Sequence, residues 1–216
     1  MGKTESEPVP NVLKEAIEKV KSVAIAGFPL CLGVDLENTL MQPLNSNGRY
    51  PHLIPTENKT LSKFLRALIG ELRQSGTQSS LFLANASSLE ADPLAKCGLD
   101  HDVVANYLKT GYQHLRQFGE LVVPIANLKF YHEANGVIVH FNDLQMYPSL
   151  IEHTPHNWNV YSATVLPYSG NHPPESLQRY ASNILNTFSA VDVKQVLDLR
   201  TKGRAAELRF FREQAY

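Results

Sequence analysis

Apolar residues recur along this chain with two alternating periods, and the alternation sets the first expectations. Val12, Leu13, Ala16, Ile17 and Val20 fall on one face of a helix that Asn11 is suited to cap. Phe28 to Val34 is an unbroken apolar run after Gly27, short enough for a buried strand. Residues 41–58 are rich in Pro, Asn and Gly and read as loop. Leu61, Phe64, Leu65, Leu68, Ile69 and Leu72 then line one side of a helix predicted over 60–75, with Gly76 as its stop. Leu81 to Ala84 reads as a second strand. Val103, Val104, Tyr107, Leu108, Gly111 and Leu115 return to helical spacing behind an Asp100 cap. Leu121–Ile125, Val137–Phe141 (after an Asn135–Gly136 turn) and Val160–Leu166 are further strands. Leu177, Tyr180, Ala181, Ile184, Leu185 and Phe188 share a helical face, with Pro174 in its first turn. Residues 191–213 read as helix weakened at Gly203.

Short buried strands alternating with amphipathic helices predict an α/β fold, three-layered, with a mainly parallel sheet and helices on both faces. Residues 1–10, with Pro8 and Pro10, read as a flexible N-terminal tail, and 11–216 as a single domain ending in helices over 173–213. Charge changes the picture by exclusion. With 20 Lys+Arg against 21 Asp+Glu, the net charge of −1 provides no basic footprint for nucleic acid or for an acidic membrane surface. No apolar run approaches the roughly 20 residues of a membrane helix. The polar start of the chain is unlike a secretory signal, and two cysteines, Cys31 and Cys97, are too few for a disulfide framework. A cytoplasmic setting is expected.

The candidate chemistry lies where the first strand ends. Leu30-Cys31-Leu32-Gly33-Val34 runs into Asp35-Leu36-Glu37-Asn38-Thr39-Leu40. Ligands of open α/β sheets bind outside the carboxyl ends of the strands. Asp35 and Glu37 would both face that crevice. Such a pair suits a carboxylate nucleophile beside an acid/base group, and it suits a hard cation such as Mg²⁺.

This segment resembles the first motif of the haloacid dehalogenase (HAD) superfamily, an apolar strand followed by Asp-x-Asp-x-Thr, with Glu37 here as the second acid. The resemblance covers about residues 28–168 and implies a HAD-like Rossmannoid core of the small, capless, Mg²⁺-dependent phosphatase kind. It implies Asp35 as phosphoryl-accepting nucleophile and metal ligand, and Glu37 as acid/base. Thr39, Asn85 and Ser87 are the substrate-binding positions it suggests; the hydroxyl usual at the end of the second strand is Ala84 here. Asp143 is the implied later metal ligand, with Asn142 where a second acid is common, and Lys129 (or Lys109) the implied phosphate-stabilising lysine. The substrate implied is a phosphorylated small molecule or a phosphoprotein.

Other readings stand beside it. Asp35 also suits a cap and Thr39 a local turn bond. The altered later motifs suit an inactive HAD-like protein that binds a protein partner. Cys31, His140 and Asn159 occur in the order of a cysteine hydrolase's nucleophile, base and orienting group. His132, His140, His153, His156 and His172 lack the spacing of a zinc site, and His140 on an apolar strand suits a hydrogen-bonded core position. The mixed charges after Asp192 read as a solvated helix face, and Trp158 with Tyr161 as packing residues.

Overall fold

The computed structural model describes residues 11–25, 27–36, 38–42, 56–76, 81–85, 101–119, 121–124, 127–128, 130, 135–143, 151, 153–168, 176–198 and 201–202. Among them the chain runs α1 (Asn11–Lys21), β1 (Leu30–Val34), α2 (Lys59–Gln74), β2 (Leu81–Asn85), α3 (His101–Arg116), β3 (Val122–Pro124), β4 (Gly136–Asn142), β5 (Trp158–Thr164), α4 (Leu177–Thr187) and β6 (Ser189–Ala190). The fold is α/β, a mostly parallel sheet flanked by helices. Strand order is β3-β2-β1-β4-β5-β6. The first five strands are parallel, and β6 joins β5 antiparallel. From β1 the chain steps outward to β2 and β3, then returns to the other side of β1 with β4. The order therefore reverses between β1 and β4, the position where open sheets of this kind leave a crevice at their carboxyl edge.

Every residue of β1 and of β4 is buried. A strand covered on both sides favours apolar residues at successive steps, which is why these segments read as near-continuous runs; the buried His140 and Asn142 of β4 are bonded to each other. Leu30, Leu32 and Val34 join Val137, Val139 and Phe141 in the main core, with buried residues of α1, α2, α3 and α4. Their neighbours point the other way, as the twofold period of a strand requires. Cys31 and Ile138 enter a smaller core with Leu128, Trp158 and Val160. Phe64 of α2 meets Phe141 edge-on, with ring centroids 5.9 Å apart.

The helix α2 forms as its stripe predicts: all six apolar residues are buried. Asn58 caps it, its side chain accepting from the Thr60 and Leu61 amides at 3.1 Å each. Four expectations need correction. First, α4 starts at Leu177 rather than in a turn holding Pro174, because the Ser176 hydroxyl caps it, accepting from the Arg179 amide at 3.2 Å. Second, β5 starts two residues before Val160, since Trp158 pairs with Gly136. Third, Gly136 lies in β4 and not in a turn. A Cβ there would sit 2.6 Å from Trp158 Cδ2, so the missing side chain is what admits the indole. Fourth, residues 189–190 form β6, opposite Ser162 and Tyr161, and 193–198 and 201–202 are helical. Two residues are too few to carry a period. The tail 1–10, the Asp100 cap and residues 203–213 lie outside the described residues.

Candidate functional site

Backbone hydrogen bonds build the turn after β1. The Asp35 amide donates to the Phe141 carbonyl at 3.0 Å, so β1–β4 pairing continues one residue beyond the strand. The Leu40 amide then reaches back to the Asp35 carbonyl at 3.2 Å, and the Met41 amide to the Leu36 carbonyl at 2.9 Å. Leu36, Leu40 and Met41 are fully buried and anchor the turn. Helix α3 packs close on it: a Cβ on Gly111 would lie 2.6 Å from Leu36 Cδ1 and 2.9 Å from Met41 Sδ. Beyond the turn, Met41 and Glu57 form an antiparallel bridge, and the Tyr107 hydroxyl donates to the Gln42 carbonyl at 2.5 Å. The loop residues 43–55 lie outside the described residues.

This turn sets Asp35 at the carboxyl end of the central strand, only 3% exposed. Asp143 follows the last residue of β4, the strand beside it. Asn38 joins the two ends. Its backbone is left-handed, with φ 59°, and its Nδ2 donates to Asp143 Oδ2 at 2.5 Å. The Asn38 carbonyl accepts from the Tyr168 amide at 2.8 Å, which ties in the segment after β5. Asn85 ends β2 and is the register partner of Val34, so its backbone belongs to the same edge. Thr39 is fully buried, and its hydroxyl oxygen has no hydrogen-bond partner among the described residues.

Asn142, which the resemblance offers as a metal ligand, is tied into the sheet. Its Nδ2 donates to His140 Nδ1 at 2.8 Å and to Ser162 Oγ at 3.1 Å, while its buried Oδ1 has no hydrogen-bond partner among the described residues. Burial pushes the His140 imidazole down to about 3, so the ring is neutral at physiological pH. With Nδ1 accepting from Asn142, the ring proton belongs on Nε2. In the cysteine arrangement, Asn159 is not the residue bonded to His140, and Cys31 is poorly suited to act as a nucleophile. Cys31 is fully enclosed, and burial raises its thiol well above the ordinary value, so the thiolate is disfavoured. Asn159 is exposed on β5 and pairs with Val137, while the partner of His140 in the register is Ser162. Asn142, not Asn159, orients His140.

Glu37, Ser87 and Lys129 lie outside the described residues, so Asp35, Thr39, Asn85, Asn142 and Asp143 are the expected positions that the structure locates, together with the alternative lysine, Lys109, which is exposed on α3. Sequence reasoning passed over Asn38. Its signal was there: Asn is among the few non-glycine residues that accept a left-handed backbone, and it follows a strand end closely. Among the described residues there is no group of three or more His, Cys, Asp or Glu able to hold a metal ion, nor a helix long and apolar enough to cross a membrane. Mg²⁺ needs less than such a group, since one or two carboxylates, water and substrate oxygens suffice for it. Asp35 and Asp143 are oxygen donors of that kind, and the orphaned oxygens of Thr39 and Asn142 mark unmet polar demand near them in sequence. Comparison of the chain with protein-family models, with curated proteins and with solved structures finds no match.

Proposed function

We propose that this chain is a HAD-like phosphohydrolase that acts on a phosphorylated small molecule or phosphoprotein in the cytoplasm, with Mg²⁺ at Asp35 and Asp143. One observation carries the reading: Asp35 directly follows the central strand β1 and Asp143 directly follows the adjacent strand β4, at the carboxyl edge where the strand order reverses. A carboxylate nucleophile with a second carboxylate able to share a cation suits phosphoryl transfer.

In this reading Asp35 attacks phosphorus in line with the bond to the leaving oxygen. That bond breaks as the acyl phosphate on Asp35 forms, and Glu37 gives a proton to the departing oxygen. Water then attacks phosphorus and loses a proton to Glu37, the bond from phosphorus to the Asp35 oxygen breaks, and phosphate is released with Asp35 again a carboxylate. Mg²⁺, when bound, supplies positive charge that offsets the charge on the phosphoryl oxygens. Thr39, Asn85 and Ser87 contribute donors to the phosphate, and Lys129 shares its charge. Burial of Asp35 supports this role, because a nucleophile with little water around it needs little desolvation.

The test is release of phosphate from a generic aryl phosphate with Mg²⁺. Asp35→Asn should lower the rate by about three orders of magnitude or more, since the nucleophile itself is lost. Equal, negligible rates for the wild type and Asp35→Asn would sink the enzyme reading. A second reading, a non-catalytic HAD-like interaction module, is favoured by the engagement of Asn142 with His140 and Ser162. Under it Asp35→Asn keeps partner binding, and calorimetric titration finds Mg²⁺ binding weak in the wild type.

A further inference from the structure

We infer that Asn38 is the positioning residue of the cation site: its carboxamide holds the Asp143 carboxylate in place for Mg²⁺ shared with Asp35. This rests on the phosphohydrolase reading, which supplies the cation. The contact spans 105 residues of chain and links the turn after β1 to the end of β4. A carboxylate that ligates a metal is commonly oriented by a hydrogen bond from a neighbouring group, and the Asn38 amide supplies one to Asp143 Oδ2 at 2.5 Å.

Asn38 is itself held from both sides, so its donor is placed before any cation arrives. The residues before it are closed into the turn by the Leu40-to-Asp35 and Met41-to-Leu36 backbone bonds. After it, the Thr39 carbonyl accepts from Asn58 Nδ2 at 3.0 Å, which fastens the turn to the cap of α2. The Tyr168 amide fixes the Asn38 carbonyl. The choice of residue follows from two demands met together. A φ of 59° disfavours most side chains, and glycine, which tolerates it best, has no donor. Asparagine satisfies the backbone and carries the amide.

Asn38→Gly separates the two demands, because it keeps the backbone conformation and removes the donor. Calorimetric titration of the folded chain with Mg²⁺ should show the dissociation constant of Asn38→Gly weakened about ten- to hundred-fold, the usual effect of losing a group that orients a metal ligand. Asp143→Asn should weaken it at least as much. Tight wild-type binding that is unchanged in Asn38→Gly overturns this inference and leaves the phosphohydrolase reading standing. A wild type that binds no Mg²⁺ overturns both. A second measurement needs no variant: in the ¹H–¹⁵N spectrum of the wild type, the Asn38 side-chain amide pair should shift with Mg²⁺ and saturate with the calorimetric constant. An Asn38 amide indifferent to saturating Mg²⁺ overturns the inference.

Discussion

His140 sits in the middle of the sheet, its ring packed over Gly33 and its Nδ1 bonded by the Asn142 amide. Burial pushes its imidazole down to about 3, whereas the unfolded chain offers an ordinary histidine at 6.5. The unfolded state therefore takes up a proton that the folded state refuses. Stability is fully present above 6.5, falls as the pH drops through the window between the two values, and levels off below about 3. Each pH unit inside that window costs about 1.4 kcal/mol. Between pH 7 and pH 5 the loss from this one group comes to about 2 kcal/mol, and it hardly depends on the folded value while that stays well below 5. Carboxylates titrate over the same range, so the assay must isolate His140. Urea unfolding of the wild type and of His140→Gln at pH 7, 6 and 5 does so, because every other group is common to both chains. The glutamine variant, which cannot titrate there, should close on the wild type by about 2 kcal/mol at pH 5. Two stability curves that run parallel across these pH values would refute the reasoning, and with it the enclosed neutral imidazole.

Gly136→Ala should destabilise the fold by about 2 to 3 kcal/mol, since its Cβ would lie 2.6 and 2.7 Å from Trp158 Cδ2 and Cζ2 and the indole is confined by the smaller core. Chemical denaturation reads the loss, and an unchanged midpoint would show that the indole does not lie over this glycine. Cys31 should resist thiol reagents in the native chain at pH 8 and react in urea, because it is fully enclosed and burial holds its thiol protonated. Peptide mapping by mass spectrometry scores it, and rapid native labelling at Cys31 would revive the cysteine chemistry.

Local pattern was enough for much of this protein. The stripe from Leu61 to Leu72 specified α2, because a 3.6-residue period survives in one dimension. Short, mostly apolar runs announced β1 and β4, since strands buried on both sides select for apolar residues. The place of Asp35 at the carboxyl end of the first strand was legible for the same reason. Tertiary structure decided what depends on partners distant along the chain. The insertion of β1 between β2 and β4, which brings the ends of β1 and β4, and so Asp35 and Asp143, to one edge of the sheet, is a matter of non-local pairing that no period encodes. Gly136 carries a turn signature, yet Trp158 across the ladder makes it strand. The bond from Asn38 to Asp143 needed both a left-handed turn and a strand end brought to it from 105 residues away. Hydrophobic periods record which face of an element is buried, while hydrogen-bond partners are chosen only once the burial of those faces has brought the segments together.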